Sequence, residues 1–422
     1  MRQKSIQRPV MSFNPDTGIY MLIAAGMERG GYASDRTFVI VSDGSEIIAE
    51  HKLNNVLLYE GYTVECCDES GRFLAAWSEV SGPDSALKGQ FFSSDGEPDG
   101  GIFDIRTDAA LQSVMPDPVS GKFLVAYKTA DSLEVAVVSG EGDIGEPAVI
   151  AEFPSGYYDD YQAGNLALVY DASAEAVLAV WSEMAYADFN LKFYGRHFRP
   201  DGAVSPGEPL TLAEIDDPVY GLVYKIWLYG GGDGKIRMIW WDWYRLNALN
   251  IVGGEPAAAV QSIEWEGWYT GFFDPVYDPD SESIWVIWTG YPDGSLGEIR
   301  MRNLNEMFLD AGQPVSVGEI PVEDFYGKIE LTAAYNPVHG AVSIFAVSNV
   351  FFGVTLDYSF FHTSSSEMDL ADLLRNLDGE PDNPVNIADV VKFLNMFPFL
   401  DRNKIDDLLE LIEPVYPVLV SY

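Results

Sequence analysis

The sequence predicts an all-β protein built from repeated four-stranded sheets, and two observations lead to this prediction. A short turn signal follows an alternating apolar run about every 54 residues along the chain. The turns begin at Asn14, Asp68, Asp117, Asp171, Gly230, Asp278 and Asn336. Nine or ten residues later the next run reaches Ala24, Trp77, Tyr127, Trp181, Trp240, Trp288 or Ala346. One such sheet cannot bury both of its faces alone, so seven copies indicate a seven-bladed β-propeller.

The chemistry of the turns supports the repeat. Asp or Asn followed by Pro, with Gly soon after, is typical of tight turns, because Pro fixes φ and Gly tolerates positive φ. Later in the unit, Asp43-Gly44, Asp95-Gly96 and Asp201-Gly202 mark a hairpin between the third and fourth strands in the same way. Each unit is therefore predicted to be a meander of four strands, A to D.

The blades can be placed in order along the chain. They are predicted at about 9–56, 57–111, 112–160, 161–219, 220–267, 268–324 and 325–365. The last blade shows only three clear strands. We expect Lys4–Arg8 to supply its fourth strand, since this would close the ring with an N-terminal strand and remove exposed sheet edges. The domains are then a propeller at 1–365 and a small α-helical appendix at 366–422.

Composition excludes several classes of function. The net charge is −40 with only 25 Lys and Arg, and these form no basic stripe, which argues against a nucleic-acid partner or an anionic membrane. No apolar run approaches the roughly 20 residues needed for a membrane span. The N-terminus shows no signal-peptide core, so the protein is cytosolic or its export signal is not visible in this sequence.

The two cysteines, Cys66 and Cys67, are adjacent in a predicted strand, where neighbouring side chains point to opposite faces. We expect two small buried thiols, with a vicinal disulfide as the alternative. The chain has no further cysteines to form a disulfide framework, so stability must come from the packing of the blades.

After Met368 the apolar spacing becomes helical, and an acidic loop runs from Asp378 to Asp389. Oxygen-bearing side chains at its positions 1, 3, 5, 9 and 12 suit a hard cation such as Ca²⁺. The candidate metal ligands are Asp378, Glu380, Asp382, Asn386 and Asp389. Here the sequence resembles a dockerin loop, although position 3 is Glu, position 6 is Asn383, and the second loop, 398–409, lacks most ligands. The resemblance implies bound Ca²⁺, a cohesin-like partner and a location outside the cell; the alternative is a capped helix with an acidic loop.

The propeller region resembles secreted bacterial and archaeal repeat proteins, on the segments 117–127 and 278–288. In such a fold the B–C and D–A connections emerge at one end, and here they are rich in aromatic residues and carboxylates. Aromatic rings stack on the apolar faces of sugars, and carboxylates accept hydrogen bonds from hydroxyl groups. The candidate ligand-binding residues are Tyr157, Tyr158, Tyr186, Trp241, Trp243, Tyr244, Trp265, Trp268, Tyr269 and Tyr326. Packing between blades is the alternative role for any one of them.

These observations favour an extracellular or cell-surface protein that binds a glycan or a partner protein, rather than an enzyme. One alternative is a glycoside hydrolase or polysaccharide lyase that uses a carboxylate pair at the same end. The candidate carboxylates are Asp159, Asp160, Asp216, Asp217 and Asp242. A second alternative is a structural subunit of a surface assembly. The four histidines have neither metal spacing nor a nucleophile motif nearby, which argues against zinc hydrolysis and a Ser-His-Asp triad.

Overall fold

The structure is a computed structural model. It describes residues 4–28, 36–44, 47–54, 61–81, 84–153, 161–185, 190–215, 223, 225–231, 233–241, 245–263, 273–290, 296–305, 308, 315–321, 328–338, 340–349 and 358–364. The chain separates into two compact units, 1–338 with 342–362 and 339–341 with 363–422. All sites built from described residues below lie in the first unit. The predicted helical appendix and its calcium loop lie outside the described residues.

The regular structure of the described residues is entirely β. The strands are β1 (Lys4–Asn14), β2 (Ile19–Glu28), β3 (Arg36–Ser42), β4 (Ile47–Asn54), β5 (Tyr62–Cys66), β6 (Phe73–Ser81), β7 (Asp84–Phe92), β8 (Pro98–Thr107), β9 (Ala110–Pro116), β10 (Phe123–Lys128), β11 (Ser132–Val138), β12 (Ala148–Glu152), β13 (Tyr161–Asp171), β14 (Ala176–Ala185), β15 (Leu191–Phe198), β16 (Leu210–Ile215), β17 (Lys225–Gly230), β18 (Lys235–Trp241), β19 (Leu246–Val252), β20 (Glu255–Pro256), β21 (Gln261–Ile263), β22 (Phe273–Asp278), β23 (Ser283–Gly290), β24 (Leu296–Leu304), β25 (Val315–Pro321), β26 (Lys328–Asn336), β27 (Ala341–Asn349) and β28 (Tyr358–Ser364).

These strands form consecutive meanders, as predicted. Six sheets hold four or five strands: β1–β4, β5–β8, β9–β12, β13–β16, β17–β21 and β22–β25. We call them blades one to six, and the three-stranded sheet β26–β28 is the seventh sheet. The fold is therefore an all-β propeller. The described residues contain six complete blades, whereas the sequence predicted seven.

The N-terminal strand does not complete the seventh sheet, so this part of the prediction was wrong. β1 runs unbroken from Lys4, which pairs with Glu28 of β2 in blade one. A segment of alternating apolar and polar residues can pair with the edge of either sheet. β1 forms a hairpin with β2, which follows it directly in the chain, and does not pair with the seventh sheet. β1 lies beside β26, and the Tyr20 hydroxyl bonds to Ser343 Oγ at 2.5 Å and accepts from Asn336 Nδ2 at 2.7 Å. The first and last sheets thus meet through packing and side-chain hydrogen bonds.

Apolar side chains fill the space between each pair of neighbouring sheets. Seven separate clusters result, such as the one that joins blades four and five around Trp240 and Phe193. The aromatic residues expected on the second strands lie in these clusters, and Trp77 and Trp181 are at most 1% exposed. Burying each such side chain stabilises the fold by about 1.5–3 kcal/mol. The repeated aromatic positions of the sequence are therefore positions of packing between blades.

The A–B turns lie at one end of the propeller, which we call the turn end. Six of the seven are closed by a buried Asx side chain that accepts backbone N–H groups two or three residues ahead. Asp117 Oδ1 accepts from Val119 N at 3.1 Å, and Asp278 Oδ1 accepts from Asp280 N at 3.0 Å. Asn14, Asp68, Asp171 and Asn336 make the same contact. The recurring Asp and Asn residues of the sequence are therefore structural.

Blade five departs from this pattern. Its equivalent turn position is Gly231, whose N–H donates to Lys235 O at 2.9 Å. A Cβ at Gly231 would lie 2.2 Å from Arg237 Nη1, so the Arg237 guanidinium takes the space that an Asx side chain fills elsewhere. Arg237 is fully buried, bonds to Asp233 at 3.2 Å and lies 5.0 Å above the Tyr277 ring. A buried cation replaces a buried carboxylate in this turn.

Cys66 is the last residue of β5, and its Sγ lies against that of Cys67, the arrangement of the vicinal disulfide that is the alternative to two thiols. A regular strand would direct the two side chains to opposite faces. Here the peptide bond between the two residues is cis.

Candidate functional site

The end of the propeller opposite the turns carries the B–C and D–A connections, and we call it the loop end. Most of the residues that the sequence singled out there lie outside the described residues. These are Tyr157, Tyr158, Tyr186, Trp243, Tyr244, Trp265, Trp268, Tyr269 and Tyr326, together with Asp159, Asp160, Asp216, Asp217 and Asp242. The proposed metal ligands Asp378, Glu380, Asp382, Asn386 and Asp389 also lie outside them. Their roles stay predictions.

Trp241 is the one candidate aromatic that the structure describes. It ends β18, where it pairs with Lys225 of β17 and Leu246 of β19. Its ring is half-buried against the cluster between blades five and six, and its centroid lies 5.5 Å from that of Phe273 at an interplanar angle of 65°. Trp241 therefore has a packing role, and a contact with a ligand remains a prediction.

The loop end also contains a polar cleft of about 420 Å³ that sequence reasoning missed. We call it the loop-end cleft. It is lined by Ser85, Asp108, Ala110, Gln112, Lys128, Thr129, Ala130, Gly164, Asn165 and Val223. These residues come from the ends of strands in blades two, three and four and from the segment that enters blade five. The site is thus assembled from four repeat units, which a search within one repeat could not reveal.

The backbone around the loop-end cleft has an unusual conformation at two positions. Asp108 and Asn165 both have φ of +54°, although neither is glycine. Asp and Asn tolerate this region better than other residues. Asp108 N donates to Ser85 O at 2.7 Å, and Asn165 Nδ2 donates to Val223 O at 2.8 Å. The Asp108 bond extends the β7–β8 pairing of blade two, and the Asn165 bond reaches the segment that enters blade five. Such conformations concentrate at functional sites, because the surrounding structure must hold them in place.

Several side-chain groups of the cleft are held by weak or local contacts. Gln112 Oε1 accepts from Leu166 N at 3.4 Å, and Gln112 Nε2 donates to Leu111 O at 3.1 Å. The Thr129 hydroxyl contacts Ser132 Oγ at 2.7 Å. Lys128 is half-buried and Asp108 is exposed. The lining of the loop-end cleft therefore includes an amide, a hydroxyl, an ammonium and a carboxylate, all of which can form hydrogen bonds with hydroxyl groups.

A second polar cluster lies on the innermost strands. Asp274 of β22 is 9% exposed and accepts from Trp227 Nε1 at 3.2 Å, Thr332 Oγ1 at 3.1 Å and Ala333 N at 2.9 Å. Lys225 Nζ lies 3.8 Å from the same carboxylate. A carboxylate has about four acceptor positions, and these partners occupy them. Asp274 is thus a structural link between blades five and six and the seventh sheet.

Glu65 of β5 behaves differently. Burial raises its pKa from 4.5 to about 8, and the charge of Lys225 opposes this rise. Burial also raises the pKa of Tyr229 well above 10, with further contributions from the charges of Asp274 and Glu65. A signal for Glu65 was present in the sequence, since it is the one charged residue in the run 62–67. An isolated acid in an inner strand predicts a special environment.

Among the described residues, no group of three or more potential ligand side chains could hold a metal ion. The same residues include no helix that is long and apolar enough to span a membrane.

Comparisons with known proteins add only likeness to solved propeller structures. No family model matches the chain, and no curated protein matches it. The chain is similar to the periplasmic gluconolactonase of Pseudomonas aeruginosa, with 13% identity, a TM-score of 0.47 and coverage of 75% of this chain and 86% of that one. It is also similar to the Cps50 (Swd1) β-propeller domain of Myceliophteria thermophila, with 11% identity, a TM-score of 0.48 and coverage of 85% of this chain and 97% of that one. The NanB sialidase of Streptococcus pneumoniae has 10% identity and a TM-score of 0.44, and the match covers 87% of this chain and 69% of that one. The assignment of the fold rests on the sheets themselves.

Proposed function

We propose that the protein binds a polyhydroxylated ligand, a glycan, at the loop end of the propeller. The observation that carries this proposal is the loop-end cleft, where the β8–β9 connection (Asp108), strand β9 (Gln112) and the end of β10 with the residue after it (Lys128 and Thr129) present polar groups. Its volume suits one or two sugar rings better than a protein surface, since small-molecule sites begin at about 300 Å³. The aromatic residues that the sequence places in the neighbouring connections would supply stacking surfaces.

A binding role fits the described carboxyl groups better than hydrolysis does. A glycosidase needs two carboxyl groups that face the same bond, one as acid and one as base or nucleophile. Asp274 already has its acceptor positions filled, so it cannot serve with Glu65 as such a pair. The loop carboxylates named above keep the hydrolase alternative open to experiment.

The proposal can be tested with neutral and acidic oligosaccharides by saturation-transfer NMR and calorimetry. Lys128→Met removes the ammonium from the cleft and should weaken binding about tenfold, which is the order expected for a hydrogen bond to a charged group. Lys122→Met is the matched control, because Lys122 precedes the other end of the same strand β10 and is exposed at the turn end. It should leave the affinity unchanged.

Two results would overturn the proposal. One is the absence of saturable binding across the panel of oligosaccharides. The other is equal loss of affinity in both lysine variants, which would show that overall charge and not the cleft is responsible. Capture of a protein partner that is insensitive to Lys128→Met would favour the protein-ligand alternative.

We further propose that the C-terminal segment binds one Ca²⁺ and acts outside the cell. Crowding four carboxylates into the loop 378–389 costs repulsion that a divalent ion would offset. Calorimetry with CaCl₂ on the full chain should show one site, which Asp378→Ala combined with Asp382→Ala removes. No heat at millimolar calcium would reject the site and the cohesin-like partner that the dockerin resemblance implies.

A further inference from the structure

The hydrogen-bond donors that line the loop-end cleft are already engaged within the protein. Asn165 Nδ2 donates to Val223 O at 2.8 Å, and Gln112 Nε2 donates to Leu111 O at 3.1 Å. Lys128, the one cation of the lining, also has a partner within the protein. The fold therefore uses much of the donor capacity of the cleft before any ligand arrives.

The acceptors of the same lining are not used in this way. The Asp108 carboxylate and the Asn165 Oδ1 atom receive no hydrogen bond from the described residues, and the Ser85 hydroxyl makes none with them. Asp108 is exposed, whereas Ser85 and Asn165 are half-buried. The loop-end cleft thus offers a ligand mainly acceptor atoms, and the uncommitted charge among them is negative.

The backbone fixes both of these acceptor side chains in place. The left-handed conformation of Asp108 is held by the bond from its N–H to Ser85 O at 2.7 Å. Asn165 lies at a bulge of β13, where the register with β14 shifts between Gly164 and Ala167. Bulges redirect side chains and are frequent beside binding sites. Acceptors that are positioned before binding lose little conformational freedom when a ligand arrives.

We propose that the loop-end cleft selects a glycan with free amino groups, such as an oligomer of glucosamine; this inference rests on the glycan-binding function proposed above. A protonated amino group brings three N–H donors and a positive charge. The Asp108 carboxylate would accept one donor in a charge-assisted hydrogen bond, and Asn165 Oδ1 is a second acceptor of the same cleft. Sugar hydroxyl groups would meet Ser85 and the ammonium of Lys128.

Charge favours this class of glycan over acidic ones. The net charge of −40 attracts a cationic ligand and opposes an anionic one. An acidic glycan would also bring a second carboxylate into a cleft whose uncommitted charge is that of Asp108. A neutral glycan lacks the charge that Asp108 can pair with.

Two oligosaccharides that differ only at the amino groups test the selection. A tetramer of glucosamine carries free amines, and its fully N-acetylated form carries neutral amides on the same backbone. Calorimetry with the full-length protein, at a pH where the amines are protonated and at constant ionic strength, measures both affinities. We expect about fivefold tighter binding of the free amine, the order for an ion pair that is exposed on one side.

Asp108→Asn removes the charge and keeps a residue that tolerates the left-handed conformation. This variant should bind the glucosamine tetramer about fivefold more weakly and its N-acetylated form as the wild type does. Asp95→Asn is the matched control with the same change of net charge. Asp95 is exposed in the β7–β8 hairpin of blade two, where the neighbouring Ser94 O accepts from Thr17 Oγ1 in the turn of blade one, at the turn end. The control should bind both tetramers unchanged.

The results separate this inference from the function on which it rests. If the wild type binds the N-acetylated tetramer as tightly as the amine or more tightly, the selection is refuted while glycan binding stands. Equal losses for both tetramers in Asp108→Asn would give Asp108 a structural role only. Equal losses in the two Asp variants would assign the preference to overall charge, and either result would overturn the inference. Absence of saturable binding for every oligosaccharide would reject the proposed function itself.

Discussion

Two carboxyl groups of the propeller, those of Asp117 and Glu65, have opposite surroundings. At the turn end, Asp117 is 1% exposed and accepts from two backbone N–H groups at 3.1 and 3.2 Å. On β5, Glu65 is half-buried and has no donor among the described residues, and burial raises its pKa to about 8. The comparison separates a carboxylate whose acceptor positions are filled within its own turn from one that receives no hydrogen bond from the described residues. The sequence reveals the first kind through its repeat, whereas for the second it offers only an isolated charge in the run 62–67.

The largest expected effect concerns the turn of blade five, where Arg237 replaces the Asx side chain. Arg237→Ala should destabilise the protein by about 3–5 kcal/mol, because it removes a fully buried cation and leaves Asp233 without that partner. Gly231→Asp alone should also destabilise, since its Cβ would meet Arg237 Nη1 at 2.2 Å. Combined with Arg237→Ala, the contact with the guanidinium is gone, and the new Asp can close the turn as Asp117 does once the Asp233 side chain, with Oδ1 2.5 Å from the new Cβ, turns aside.

A double-mutant cycle by urea denaturation measures this coupling. We expect the double variant to be more stable than the sum of the single effects predicts, by about 1–3 kcal/mol. Strict additivity would show that Arg237 and the Asx side chains do not occupy equivalent positions.

Asp117→Ala tests the ordinary turn and should cost about 2–3 kcal/mol, because it leaves the N–H groups of Val119 and Ser120 without their acceptor. Asp16→Ala is the control: Asp16 is exposed in the turn of blade one, and its own side chain closes nothing. It should change the free energy of unfolding by less than about 0.5 kcal/mol. Equal effects of the two substitutions would contradict the structural role of the Asx motif.

Glu65→Gln should raise the free energy of unfolding, whereas Asp117→Ala should lower it. The pKa of Glu65 is raised in the folded protein, so unfolding at neutral pH releases its proton. The favourable contribution of the bound proton is complete below about pH 4.5 and is lost as pH rises toward about 8. Gln keeps the shape and cannot ionise. The variant should therefore gain stability over the wild type by on the order of 2 kcal/mol between pH 5.5 and 7.5. Denaturation at both pH values measures this gain, and a pH-independent difference would refute the environment assigned to Glu65.

The sequence predicted the parts of the fold that depend on contacts within one repeat. The turn residues Asp117 and Asp278, the core positions Trp77 and Trp181, and the hairpin at Asp201-Gly202, where Gly202 has φ of +89°, occupy the expected places. Each of these depends on neighbours within a few residues or on a strict period. They are therefore visible in the local pattern.

The features that sequence reasoning missed depend on contacts between repeats. Lys4 pairs with Glu28 because a local hairpin competes with ring closure, and the alternation of the segment does not distinguish the two. The loop-end cleft brings Gln112 together with Asn165 across two blades. Burial raises the pKa of Tyr229, and the charges of Asp274 and of Glu65, which lie on other blades, add to the rise. No spacing along the chain encodes these distances, so a candidate site in a repeat protein must be assembled in space.

The smallest expected effect concerns the junction of the first and last sheets, where a turn residue takes part in closing the ring. Asn336 closes its own turn by accepting from Val338 N at 3.0 Å and also donates to the Tyr20 hydroxyl at 2.7 Å. Tyr20→Phe removes that hydroxyl and leaves Asn336 Nδ2 and Ser343 Oγ without this partner, at a cost of about 1–2 kcal/mol. Tyr170→Phe is the matched control, because Tyr170 is half-buried on β13 and its hydroxyl makes no hydrogen bond to the described residues; this substitution should cost less than about 0.5 kcal/mol. Hydrogen exchange of β1 and β26 should then increase in the Tyr20 variant while exchange in blade four stays unchanged. Equal protection of β1 in both variants would mean that apolar packing around Phe345 alone holds the junction together.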